Sequence, residues 1–140
     1  MVNLHNRGAL EAMEQAPFEF HLTGSRFFET ASQDSDWDFF VESDPDLPAW
    51  LEANGFELES DSDYVSTGIS EVWINEPWRV HIQIISDARL KADVQEAMRD
   101  SGYAGRMYRM SKDDRKALWN FAFTLFEAGK AKRSSYCPRW

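Results

Sequence analysis

The run "SEVWINEPWRVHIQIIS", residues 70–86, constrains the fold more than any other part of the chain. In its second arm Val80, Ile82 and Ile84 alternate with His81, Gln83 and Ile85. Successive side chains of an extended chain point to opposite faces, so this arm reads as a strand. The first arm holds β-branched and aromatic residues, and Asn75-Glu76-Pro77 between the arms supplies turn chemistry. The run predicts a β-hairpin.

The flanking segments supply the remaining elements. Residues 4–15 predict a short helix with Leu4, Leu10 and Met13 as its apolar positions, weakened by Gly8 and ended by Pro17. "FEFHLT" (18–23) alternates and reads as a strand with Phe18, Phe20 and Leu22 on one face. Gly24-Ser25 is a turn, and "SRFFETA" (25–31) opens a short helix with Ser25 as its cap. "DWDFFVE" (36–42) is a second strand, and "DPDLPAWLEANG" (44–55) is a helix with acids near its start, ended by Gly55. A short strand around "FELES" (56–60) precedes a polar loop, "DSDYVSTG" (61–68). Two helices finish the chain, one from Asp87 to Gly102 and one from Ser111 to Gly129. The order predicts a single α+β domain over 1–140, a small mixed β-sheet flanked by helices.

Composition narrows the function classes. Hydrophobic residues make up 43% and aromatics 14% of 140 residues, which is globular and enough for a core. A formal charge of -9 argues against non-specific nucleic-acid binding through the whole field. The tail, about 129–140, is the exception: Lys130, Lys132, Arg133 and Arg139 stand there without an acid and read as a frayed end with weak, salt-sensitive affinity for nucleic acid. The single cysteine, Cys137, cannot form an internal disulfide, which favours a reducing compartment. Charge interrupts every apolar run of "MVNLHNRGALEAMEQ", unlike a signal peptide. No run approaches the roughly 18 apolar residues of a membrane span. A cytoplasmic protein with no membrane partner is expected.

Asp36 and Asp38 are the candidate functional residues. Two apart on a strand, they share a face and stand about 7 Å apart at the backbone, while Trp37 and Phe39 turn to the core. Two carboxylates aimed at one point are tolerable mainly in water or around a cation. Mg²⁺ takes oxygen ligands and completes its shell with phosphate and water. Upstream, Gly24-Ser25 sits where a strand hands over to a helix, a place where glycine lets backbone approach a phosphate and free N–H groups are on offer.

Gly24, Ser25, a spacer of ten residues, then Asp36, Trp37, Asp38 and Phe39 resemble the signature of the nucleotidyltransferase (DNA polymerase β-like) superfamily. The likeness is to its small free-standing domains of bacterial and phage type, and covers residues 18 to about 86 best. The resemblance implies a minimal nucleotidyltransferase-like fold. It implies that Gly24 and Ser25 hold the phosphates of a nucleoside triphosphate, with Arg26 beside them. Asp36 and Asp38 would hold Mg²⁺ or Mn²⁺, as in two-metal phosphoryl chemistry. The acceptor would be a hydroxyl on RNA, a protein or a small molecule. Members of the family usually carry a third acid on a later strand. Here that face presents His81 and Gln83, which become the candidate base and third metal ligand, with Glu71 on the other hairpin arm as a substitute acid.

Each of these residues also has a plainer reading. Arg26 pairs equally well with Glu29 or Asp34, and His21 and His81 read as half-buried structural histidines. Trp119, Phe121, Phe123 and Phe126 fall around the last helix as core and not as a base-stacking platform. Trp73 and Trp78 flank the hairpin turn and read as cross-strand packing. "ESDPDLP" and "ELESDSD" are solvated loops, or an acidic surface toward a basic protein partner. The alternative function is a catalytically inactive member of the fold that binds a nucleotide or a protein.

Overall fold

The computed structural model describes residues 4–59, 68–102 and 106–129. The tail from residue 130 with Cys137, most of the loop over 61–68 and the side chain of Leu4 lie outside the described residues. The fold is α+β. Among the described residues, helices α1 (Leu4–Gln15), α2 (Gly24–Phe27), α3 (Leu47–Ala53), α4 (Ala88–Asp100) and α5 (Lys112–Gly129) flank five strands: β1 (His21–Thr23), β2 (Trp37–Glu42), β3 (Glu57–Leu58), β4 (Ile69–Asn75) and β5 (Val80–Ile85).

The strands form one mixed sheet in the order β1-β2-β5-β4-β3. Only β2 and β5 run parallel, with Asp38 opposite His81 and Phe40 opposite Gln83; the other pairs are antiparallel. The hairpin expected from the sequence is β4–β5. Asn75 holds its turn: the buried side chain accepts from Trp78 N at 3.0 Å and donates to Asn54 O at 2.9 Å.

Strand alternation sorts the side chains into two cores. Phe39, Val41, Ile82, Ile84 and Trp73 face α1 and α3, where they meet Ala9, Met13, Leu47 and Leu51. On the opposite face Phe40 and Ile85 lie with Ala88, and Leu90, Val94 and Met98 of α4 pack with Phe27, Phe28 and Phe123. Truncating a fully buried residue such as Ile82 to alanine costs about 2–5 kcal/mol through lost burial and the cavity left behind. Among the described residues, no helix is long and apolar enough to cross a membrane.

Three local expectations are corrected. The first strand is three residues rather than six, although Phe18 and Phe20 still pack against the core through Trp50. Ser25 does not cap α2; the helix begins at Gly24, Thr23 occupies the N-cap position, and no side chain bonds there. Phe121 is 63% exposed, because a position two residues from buried Phe123 falls on the far side of the helix. Trp73 and Trp78 do pack across the hairpin as expected: Trp73 is buried opposite Ile82 of β5, and Trp78 joins the same core edge-on to Phe56 with ring centroids 5.9 Å apart. The last two helices start as the sequence predicts, with Leu90 N donating to Asp87 Oδ1 and Asp114 N to Ser111 Oγ.

Candidate functional site

Asp38 is the second residue of β2, Asp36 stands just before that strand, and His81 is opposite Asp38 on β5. The parallel register puts the three side chains together on the face that α4 and α5 cover. His81 stands between the two acids: Nε2 is 3.7 Å from Asp36 Oδ2, and Nδ1 is 3.7 Å from Asp38 Oδ1. Thr23 at the end of β1 pairs with Asp38 across the other edge, and the chain then turns at Gly24. There φ is +69°, and the backbone passes so close to Asp38 that a Cβ on Gly24 would sit 2.7 Å from Oδ2. Glycine is required at this turn on both counts.

The loop from α2 to β2 is tied down by arginines rather than by carboxylates. Arg26 donates to Ser35 O at 2.7 Å and lies 4.5 Å from the centre of the Trp37 ring. It is therefore engaged with the loop, and neither Glu29 nor Asp34 is its partner; Glu29 accepts from Arg99 at 3.0 Å. Arg79, with φ at +57°, donates from Nε to Asp36 Oδ1 at 3.3 Å and from Nη2 to Asp34 O.

The site opens into a cleft of about 430 Å³. Gly24, Ser25, Asp36, Asp38 and His81 line it from the sheet end, and Lys112, Lys116 and Trp119 line it from α5, the two lysines close enough to act on the Asp38 carboxyl. Phe28 and Met107 back the apolar side and are nearly fully buried. Arg115 donates to Met110 O at 2.9 Å and so fixes the approach to α5. Burial raises the Asp38 carboxyl above its ordinary value of 3.8, Asp36 pushes it the same way, and His81, Lys112 and Lys116 oppose the rise.

The remaining candidates fall elsewhere. Gln83 lies two residues beyond His81 on the same face, but its Oε1 accepts from buried Lys91 at 3.1 Å and it does not line the cleft. Glu71 pairs with Ile84 and shares the face of Trp73, so it points to the α1–α3 side of the sheet, away from the aspartates. His21 stacks on Phe40 with ring centroids 4.9 Å apart, a packing role. Lys112 and Lys116 were missed at the level of sequence. Their four-residue spacing puts them on one helix face, but nothing local says what that face meets.

The donor set fits one divalent cation better than two. Asp36 and Asp38 offer hard oxygen ligands, and the raised Asp38 carboxyl marks a site where a cation is favourable. Phosphate and water would complete the shell. Glu71, the expected substitute acid, lies on the opposite face; Asp34 also lines the cleft, yet among the described residues no three acid, histidine or cysteine side chains form a metal cluster.

Comparison of the chain with family models, with curated proteins and with solved structures returns no match.

Proposed function

We propose that the chain binds a nucleoside triphosphate with Mg²⁺ or Mn²⁺ and transfers its nucleoside monophosphate to a hydroxyl on RNA, a protein or a small molecule. One observation carries the reading. The Gly24 turn is packed against Asp38, and Lys112 and Lys116 face the two aspartates across a cleft of about 430 Å³. A carboxylate pair opposite two ammonium groups suits a metal-bound polyphosphate, whose oxygens bind cations on both sides. The resemblance of Gly24-Ser25 and Asp36-Trp37-Asp38 to the nucleotidyltransferase signature supports the same reading.

The transfer forms a bond from the acceptor oxygen to the α-phosphorus and breaks the bond from that phosphorus to the β-bridging oxygen. Pyrophosphate leaves with that electron pair. Asp36 and Asp38 would hold the metal ion, which when bound would supply charge neutralisation of the phosphates and lower the cost of ionising the acceptor hydroxyl. Arg79 fixes Asp36, and Lys112 and Lys116 orient the phosphate chain. His81 takes the proton released by the hydroxyl, since a neutral imidazole offers an acceptor nitrogen.

A second reading keeps binding without transfer. Glu71 favours it, because its place on the opposite face keeps the substitute acid on the hairpin away from Asp36 and Asp38. Label transfer from each of four α-labelled nucleoside triphosphates into a cell lysate, with Mg²⁺ or Mn²⁺, separates the two. Label on one RNA or protein band, absent with the Asp36→Asn, Asp38→Asn variant, is the expected result. Tight nucleotide binding with no transfer would establish the binding module.

A further inference from the structure

Lys112, Lys116 and Trp119 stand at spacings of four and three on α5, so all three project from one helix face. They span about 10 Å along the axis, at 1.5 Å per residue. All three line the cleft, and the lysines are near enough to Asp38 to act on its carboxyl. The charge is therefore not uniform along this wall. Its beginning is cationic, and its continuation is the half-buried Trp119, behind which Phe28 and Met107 are buried.

Trp119 is held in place from behind. Phe123 stacks against it at 6.4 Å between ring centroids, Phe28 meets it edge-on at 5.8 Å, and the Lys91 ammonium lies 5.6 Å from its ring centre. A half-buried indole fixed on these sides presents a rigid apolar surface to the cleft.

We infer that α5 reads the ligand from end to end, Lys112 and Lys116 taking its phosphate chain and half-buried Trp119, backed by buried Phe28 and Met107, taking its base. This rests on the nucleotide-binding reading and goes beyond it in orienting the ligand. It also sets a specificity. An apolar wall contacts any planar ring and discriminates poorly between rings that differ in their polar edges. The four nucleoside triphosphates should therefore bind within about tenfold of one another.

The test is calorimetric binding of the four nucleoside triphosphates and of inorganic tripolyphosphate, each with Mg²⁺, to the full chain. The wild type is expected to bind the nucleotides roughly tenfold or more tighter than tripolyphosphate, the difference being the base contact. Trp119→Leu should abolish that difference and leave tripolyphosphate affinity unchanged. Lys112→Gln with Lys116→Gln should weaken both ligands at least tenfold and flatten the dependence on salt. Should Trp119→Leu fail to fold, Trp119→Phe, which keeps a smaller ring, should lose part of the nucleotide affinity alone.

Equal loss of both ligands in the Trp119 variants would overturn the base assignment, as would a single nucleotide preferred by a hundredfold. Unchanged affinities in the lysine variant, with binding still lost in Asp36→Asn, Asp38→Asn, would overturn the role of α5 and leave the nucleotide reading standing. A wild type that binds neither probe would overturn both.

Discussion

Gly24 and Asp38 are in contact range that no other residue at position 24 would allow: a Cβ there would lie 2.7 Å from the Asp38 Oδ2. The turn follows β1 and the acid lies on β2, an antiparallel pair in which Thr23 opposite Asp38 fixes the register. A positive φ of 69° and this approach act together. The first expectation concerns Gly24→Ala. Left-handed backbone at a residue with a Cβ costs roughly 1–2 kcal/mol, and Asp38 must also move. Thermal melting should show the loss of stability. Mg²⁺-dependent nucleotide affinity should fall at least tenfold, since the displaced carboxylate is the proposed metal ligand. A Gly24→Ala protein with wild-type affinity would separate the turn from the site.

Asp38→Asn should leave its mark on the pH profile. Burial, with Asp36 beside it, raises the Asp38 carboxyl above 3.8 in the folded state. Between 3.8 and the raised value the folded chain then binds more protons than the unfolded one, so stability falls as pH rises through that window. Asparagine carries no such cost. The variant should match the wild type near pH 3 and exceed it at pH 7 in the absence of metal, and Mg²⁺ should raise the melting temperature of the wild type alone. Equal melting temperatures across the range would mean that the carboxyl is better solvated than its surroundings indicate.

His81 stands 3.7 Å from both acids, yet in the proposed chemistry its task differs from theirs. His81→Gln keeps a polar side chain of similar reach and removes the proton acceptor. Label transfer should drop about 10²–10⁴-fold, the usual weight of general base catalysis, with nucleotide affinity little changed. If affinity falls in step with transfer, His81 holds the ligand instead.

Lys91 gives a test of the layer behind the cleft. Burial lowers its ammonium from 10.5 to about 8, and its partners are Gln83 Oε1 and the rings of Phe40, Trp119 and Phe123. The unfolded chain binds the extra proton between pH 8 and 10.5, so this residue's cost is present below about pH 8 and relieved above it. Lys91→Met strands a buried Gln83 oxygen, which costs about 1–3 kcal/mol. Lys91→Met with Gln83→Leu should regain that loss at pH 7, since replacing both members of a buried polar pair is close to neutral. Chemical denaturation at pH 7 and at pH 10 reads both effects, and the wild type should gain on the double variant at the higher pH.

The sequence by itself determined most of the elements and the identity of the acids. Alternation along 80–85 fixed the hairpin arm, Asp87 and Ser111 fixed the helix starts, and two-residue spacing put Asp36 and Asp38 on one face. These are local signals, set by backbone geometry within a few residues. What the tertiary structure decided was what those faces meet. Parallel pairing of β2 with β5 brought His81 between the aspartates, while the same alternation two strands away sent Glu71 to the other side. Packing of α5 across the sheet turned Lys112, Lys116 and Trp119 into a wall of the cleft, and the buried Lys91 drew Gln83 out of it. Those outcomes depend on which surfaces bury each other across long stretches of chain, a free energy that no spacing of neighbouring residues records.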